Sequence, residues 1–213
     1  MPGRPAHRRR GRPDPRGTAP RHPGRTPSVK YTEVEQKYAL PDADADAVTA
    51  RLTELGATAA EPSRQIDAYY NHPGRDFLAP DTITEWVRFR TEQRGSSFNY
   101  KQWHKPGEGT AHATEYETPV GDIEALRHAF EALGFPPLVT VDKTRTTWQL
   151  DDVEIALDRV ADAGDFVEFE FKGEADTVED AHARLDKTIA DLGVDLGERV
   201  NRGYPHILLG RER

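Results

Sequence analysis

Cysteine is absent from the 213 residues. Disulfides, thiolate zinc sites and thiol nucleophiles are thereby excluded. No apolar run approaches 18 residues, so no membrane-spanning helix is expected. No short apolar stretch follows the basic start, which argues against a secretory signal, and the expected location is the cytoplasm. Also missing are a GxxxxGK[ST] phosphate loop, a GxGxxG turn and an HExxH pair. The eight histidines show no paired metal-ligand spacing, and none is assigned as a ligand.

What is present is charge. Charged residues make up 31% of the chain and hydrophobic residues 36%, polar for a globular domain but sufficient for a core. The charge is unevenly placed. Residues 1–30 hold nine Lys or Arg against one acid, Asp14, for a net of +8; the whole chain is −8, which leaves −16 for 31–213. An acidic body does not suit nucleic acid, and no nucleic-acid partner is expected for it. It does suit a site for divalent cations, which need carboxylates. Residues 1–29 are dominated by Pro, Arg and Gly and are expected to be a disordered tail, leaving 30–213 as one domain.

Within that domain, three stretches have helical spacing: 43–56, 121–134 and 177–193, each ending at a glycine. Strands are expected near 31–39, 65–70, 83–92, 97–104, 112–119, 138–149, 152–159 and 165–172. Turns fit at Arg94-Gly95-Ser96, Asp151-Asp152 and Ala163-Gly164-Asp165, and Gly107-Glu108-Gly109-Thr110 reads as a hairpin loop. Eight strands with few helices predict an α+β fold, an antiparallel eight-stranded β-barrel with helices packed outside.

The informative feature is the charged face of the strands. Side chains alternate across a strand, so residues two apart share a face. Glu33, Glu35 and Lys37 share one, as do Arg88 and Arg90, Glu115 and Glu117, Lys143 and Arg145, and Glu168 and Glu170; Lys101 and Asp158 stand on two further strands. One such strand would read as a solvated outer face. Seven together suggest an enclosed charged space, whose charges need ligands to neutralise them. Bases would hold phosphoryl oxygens, Arg in bidentate fashion, and acids would hold Mg²⁺ or Mn²⁺.

These residues resemble the CYTH family, also called triphosphate tunnel metalloenzymes. Its ExExK signature is matched by Glu33-Val34-Glu35-Gln36-Lys37, followed in order by Gln65-Ile66-Asp67-Ala68-Tyr69-Tyr70, Arg88-Phe89-Arg90, Lys101, Glu115 and Glu117, Lys143-Thr144-Arg145, Asp158 and Glu168-Phe169-Glu170. The resemblance spans roughly 31–210. It implies that Lys37, Arg88, Arg90, Lys101, Lys143 and Arg145 grip a triphosphate. It also implies that Glu33, Glu35, Glu168 and Glu170 ligate the metals, with Asp158 as a further ligand or a support behind them. Glu33, Glu35, Lys37, Lys143 and Arg145 are the expected catalytic set. Glu115 and Glu117 are read as acids that orient basic neighbours, and Asp67, Tyr69 and Tyr70 as structural.

Two reactions fit such a lining. One is the class IV adenylyl cyclase reaction, ATP to cyclic AMP and pyrophosphate, towards which Asn71-His72-Pro73-Gly74-Arg75-Asp76-Phe77 points by its likeness to cyclase-like members. The other is hydrolysis of thiamine triphosphate, tripolyphosphate or a nucleoside triphosphate. A non-catalytic polyphosphate- or nucleotide-binding protein is the third reading. The sequence leaves room for a homodimer. Trp86, Trp103 and Trp148 read as packing residues, and the apolar run at 204–209 as one that packs on the body, with Arg202 and Tyr204 near the mouth of the site.

Overall fold

A computed structural model describes residues 32–41, 44–80, 83–104 and 111–210. The basic segment 1–29 and the loop at 107–110 lie outside the described residues. The strands are β1 (Thr32–Glu33), β2 (Glu35–Leu40), β3 (Thr58–Ala59), β4 (Ser63–Tyr70), β5 (Glu85–Glu92), β6 (Gly95–His104), β7 (His112–Val120), β8 (Pro137–Leu150), β9 (Val153–Val160) and β10 (Gly164–Phe171). The helices are α1 (Asp44–Glu54), α2 (Ile123–Ala132), α3 (Val178–Leu192) and α4 (Tyr204–Leu208).

All pairings are antiparallel, and the order across the sheet is β1-β7-β6-β5-β4-β8-β9-β10-β2, with β3 added to β8. Among the described residues, ten strands therefore stand where eight were expected. The one strand foreseen near 31–39 is divided at Val34, where the chain changes partner: Glu33 lies opposite Ala113 of β7, and Glu35 opposite Glu170 of β10. The other addition is the two-residue β3. The fold is α+β and mostly antiparallel, as expected. Hydrogen bonds do not close the sheet into a ring, because its two outermost strands, β1 and β2, are consecutive pieces of one segment rather than paired neighbours.

The helices form where the apolar spacing placed them, and their ends are chemically marked. Asp122 accepts a bond from Ala125 N at 2.9 Å to start α2, and the Thr177 hydroxyl accepts from Asp180 N at 3.1 Å to start α3. At the end of α3, Gly193 adopts a left-handed φ of 65°, which a side chain would resist.

The apolar faces of the strands lie under these helices. Val48 and Leu52 of α1 and Leu185 and Leu192 of α3 pack against Val153, Ile155, Val167 and Phe169. Ile123, Leu126 and Phe130 of α2 cover Tyr70, Val87 and Phe89. Truncating a fully buried leucine such as Leu52 or Leu185 to alanine costs roughly 2–5 kcal/mol in sites of this kind. Since Val167 and Phe169 face the helices, Glu168 and Glu170 must face the other way. Two of the three apolar clusters thus lie on the outer side of the sheet, and the charged side chains share its inner side with the third, built from Tyr69, Trp86, Val141, Phe166 and Tyr204.

After α3, the segment 197–200 lies along the free edge of β2: Ala39 N donates to Glu198 O at 2.9 Å and Val200 N to Lys37 O at 2.8 Å. Gly197 is pressed so closely that a Cβ there would meet Ala39 O at 2.4 Å. This segment leads into α4, a short helix with Pro205 in its first turn, where only an apolar run had been read. No helix among the described residues is long and apolar enough to cross a membrane.

Candidate active site

The inner face of the sheet surrounds a cavity of about 210 Å³. Of the residues singled out in the sequence, Glu33, Glu35, Lys37, Arg88, Arg90, Lys101, Glu115, Glu117, Lys143, Arg145, Glu168 and Glu170 all line it. They come from β1, β2, β5, β6, β7, β8 and β10, so strands from opposite ends of the sheet order meet across one space.

Two further charged residues, Glu154 and Lys172, complete the lining. Both carried a signal: Glu154 is in period-two phase with Asp158, and Lys172 with Glu168 and Glu170. Among the described residues the wall then holds seven acids and seven bases. Tyr69, Trp86, Trp103 and Tyr204 also line it. Trp86 and Trp103 are thus part of the site, whereas Trp148 lies in the core under α1 and α3.

Asp158 does not line the cavity. Its carboxylate is fully buried behind the bases, where Oδ1 accepts from Arg145 Nε at 2.7 Å. Oδ2 accepts from Arg145 Nη2 at 2.5 Å, Tyr204 Oη at 2.7 Å and Lys143 Nζ at 3.4 Å. Asp67, read from the sequence as structural, has the matching place behind Arg90, whose Nε and Nη2 each donate to it at 2.7 Å. Arg88 Nη1 lies 4.0 Å from the same carboxylate. Each buried aspartate orients an arginine towards the cavity. Arg88 also faces Glu117 at 3.6 Å and Glu115 at 3.7 Å, so these two acids do lie beside a base.

The acids at the other end are differently placed. Lys101 Nζ contacts Glu33 and lies 3.1 Å from Glu35, while Lys172 Nζ lies 2.5 Å from Glu170. Burial raises Glu33 well above its ordinary value; Lys101 opposes this, but Glu35, Glu115 and Glu170 add to it. Burial and then Glu168 raise Glu35, and burial raises Glu170 with Glu35 adding. Glu168 behaves oppositely. Burial works against its charge, but Lys37, Arg145 and Lys143 hold it well below the usual range. Burial and the neighbouring Arg145 bring the Lys143 ammonium down to about 7. Burial and then Asp158 push the Tyr204 phenol up, so it keeps its proton and donates.

Among the described residues, no three His, Asp or Glu side chains stand close enough together to hold a metal ion as they are arranged. The donor chemistry nevertheless fits one. Glu33, Glu35 and Glu170 offer only carboxylate oxygens, which suit Mg²⁺ or Mn²⁺, and part of their strain is mutual repulsion that a dication relieves. The segment 71–77 is a compact turn in which Asn71 Oδ1 accepts from His72 N at 2.9 Å and Phe77 N at 2.8 Å. None of its residues lines the cavity.

The CYTH domain model matches residues 31–204. A Methanocaldococcus jannaschii protein described as a candidate adenylate cyclase is 31% identical over 138 residues, covering 65% of this chain and 75% of that one. The solved PH1012 protein of Pyrococcus horikoshii superposes with a TM-score of 0.69 at 24% identity, covering 82% of this chain and 98% of the other. A Hippeastrum protein, described as a candidate adenylyl cyclase with a dominant triphosphatase activity, superposes with a TM-score of 0.58 at 14% identity, covering 85% and 97%. The order of charged residues along the strands and the match over 31–204 lead to one conclusion: the chain belongs to the CYTH family.

Proposed function

We propose that this chain is a metal-dependent enzyme acting on small-molecule triphosphates, and that its first reaction is the conversion of ATP to cyclic AMP and pyrophosphate. The observation that carries the reading is the convergence of bases and acids from seven strands on one cavity. The division of Thr32–Leu40 between β7 and β10 supports a tunnel, since one short segment serves both outermost strands of the sheet.

Lys37, Arg88, Arg90, Lys143 and Arg145 bind the phosphoryl oxygens. Asp67 and Asp158 hold three of these bases in aim, so Asp158 acts as an anchor behind the site rather than as a metal ligand. Glu33, Glu35 and Glu170, with Glu168 beside them, hold Mg²⁺ or Mn²⁺. When bound, the metal makes the attacking oxygen more acidic and offsets charge on the phosphates. In the cyclase reaction the ribose 3′-hydroxyl gives up its proton to solvent, its oxygen bonds to the α-phosphorus, the bond from that phosphorus to the oxygen bridging to the β-phosphate breaks, and the bases stabilise the departing pyrophosphate.

The relative described as a candidate adenylate cyclase favours this reaction. A second reading, hydrolysis of a triphosphate, is favoured by the cavity's size. At about 210 Å³ it takes a phosphate chain but is smaller than the roughly 300–1,000 Å³ of sites that enclose a drug-sized ligand. The same lining serves both reactions. What separates them is which phosphorus meets the nucleophile.

The test is product analysis after incubation with ATP, thiamine triphosphate or tripolyphosphate and Mg²⁺ or Mn²⁺. Cyclic AMP with pyrophosphate supports the cyclase. Orthophosphate without cyclic AMP supports the hydrolase. Tight binding of a triphosphate with no turnover overturns the enzyme proposal in favour of a binding protein.

A further inference from the structure

We infer that Tyr204 is a positioning residue for the basic half of this site, acting through both its ring and its hydroxyl. The inference rests on the triphosphate reading above. Tyr204 is buried, with 4% of its surface exposed, and lies outside the charged strands on which the site is otherwise built.

Its ring meets two cations. Lys37 Nζ lies 4.3 Å from the ring centroid and Lys143 Nζ 5.0 Å from it. An aromatic face attracts ammonium groups within about 6 Å. Two lysines brought together in a buried site repel each other, and an aromatic ring within reach of both partly offsets that repulsion without contributing a fixed negative charge that would compete with a phosphate. Phe166 packs on the ring with centroids 5.1 Å apart and limits its movement.

Its hydroxyl acts on a third base. It donates to Asp158 Oδ2 at 2.7 Å, the oxygen that also receives Arg145 Nη2 at 2.5 Å. Asp158 thereby stays in the orientation that presents Arg145 towards Glu168, 2.6 Å away, and the cavity. One tyrosine thus sets the direction of Lys37, Lys143 and, through Asp158, Arg145. The 197–200 segment delivers it, because its bonds to the β2 edge at Lys37 and Ala39 fix the path of the chain just before α4. The end of the chain and the first charged strand are therefore tied together beside the phosphate-binding groups.

The test is equilibrium binding of tripolyphosphate with Mg²⁺ to the full chain. The proteins compared are the parent, Tyr204→Phe, Tyr204→Leu, Lys143→Met and the Lys143→Met/Tyr204→Leu double variant. We expect Tyr204→Leu to weaken binding roughly tenfold and Tyr204→Phe, which keeps the ring, about threefold. Tyr204→Leu should cost clearly less in the Lys143→Met background, since the ring then has one fewer cation to place. A general packing role would not produce that coupling. Equal losses in the two backgrounds, or parent-like binding by a folded Tyr204→Leu, would overturn the inference. If Tyr204→Leu does not fold, Tyr204→Phe decides, and binding equal to the parent overturns it. Failure of the parent itself to bind tripolyphosphate is a separate result: it removes the triphosphate reading and this inference with it.

Discussion

Lys101 Nζ on β6 lies 3.1 Å from Glu35 Oε2 on β2, although the residues are 66 positions apart and their strands are not hydrogen-bonded neighbours. Both side chains line the cavity. The contact places an ammonium group against Glu33 and Glu35, two of the carboxylates proposed to receive a dication. On the proposed function, Lys101 would compete with the metal for these carboxylates and, once displaced, would be available to a phosphate.

We predict that Lys101→Met binds Mn²⁺ more tightly than the parent in the absence of triphosphate, by roughly fivefold or more, yet binds tripolyphosphate with metal more weakly. Titration of free Mn²⁺ by electron paramagnetic resonance reads the first effect. Unchanged or weaker Mn²⁺ binding would refute the competition.

Asp67 and Arg90 give a stability prediction. The pair is bidentate, and the aspartate has essentially no solvent exposure. Asp67→Asn leaves Arg90 without its carboxylate, and breaking a buried pair in this way costs roughly 3–5 kcal/mol. Burial opposes ionisation of Asp67, but Arg90 and Arg88 outweigh it and hold the group well below the carboxylate range. Its folded pKa is thus lower than the unfolded value of about 3.9, so its contribution is complete above that pH and lost as pH falls towards the folded value. Urea unfolding should show a wide gap between parent and variant at pH 7 that narrows at pH 3. A gap independent of pH would contradict the pair's assigned role.

Lys143 should make triphosphate binding sensitive to pH. With its pKa lowered to about 7, it is mostly neutral at pH 8 and mostly protonated at pH 6. A bound triphosphate favours the charged form and raises the pKa again. Tripolyphosphate binding should therefore weaken as pH rises through about 7, and binding at pH 8 should take up protons. Calorimetry in buffers of different ionisation enthalpy measures that uptake. Lys143→Met should abolish most of it, and equal uptake in parent and variant would assign the proton elsewhere.

Turnover is expected to depend on both ends of the cavity. Glu35→Ala and Lys143→Ala should each lose at least about a hundredfold in kcat, because one removes a proposed metal carboxylate and the other a proposed phosphate-binding cation. Circular dichroism should confirm that each stays folded. Near-parental rates in either variant would refute the assigned roles.

Much of this site was legible because strand geometry is local. Glu168 and Glu170 share a face while Val167 and Phe169 take the other, whatever the rest of the fold does. The helices were legible for the same reason, from apolar spacing and from the terminal Gly193. Other features left no local trace. The division of the first strand at Val34 depends on partners more than 70 residues away, and α4 follows an apolar run too short to declare its type. Asp158 carried the same period-two charge signal as the cavity residues, yet it is turned behind Arg145. Alternation assigns a face but not the depth at which a side chain stops.

The sequence by itself determined which residues alternate, where the helices run and which charged groups share a strand face, since these follow from backbone periodicity. Only the tertiary structure decided that the charged faces turn inward and the apolar faces lie under the helices. An inward and an outward charged face have the same alternation, and the choice between them is made by apolar packing such as Val167 and Phe169 against Leu52 and Leu185, whose partners lie far apart in the chain.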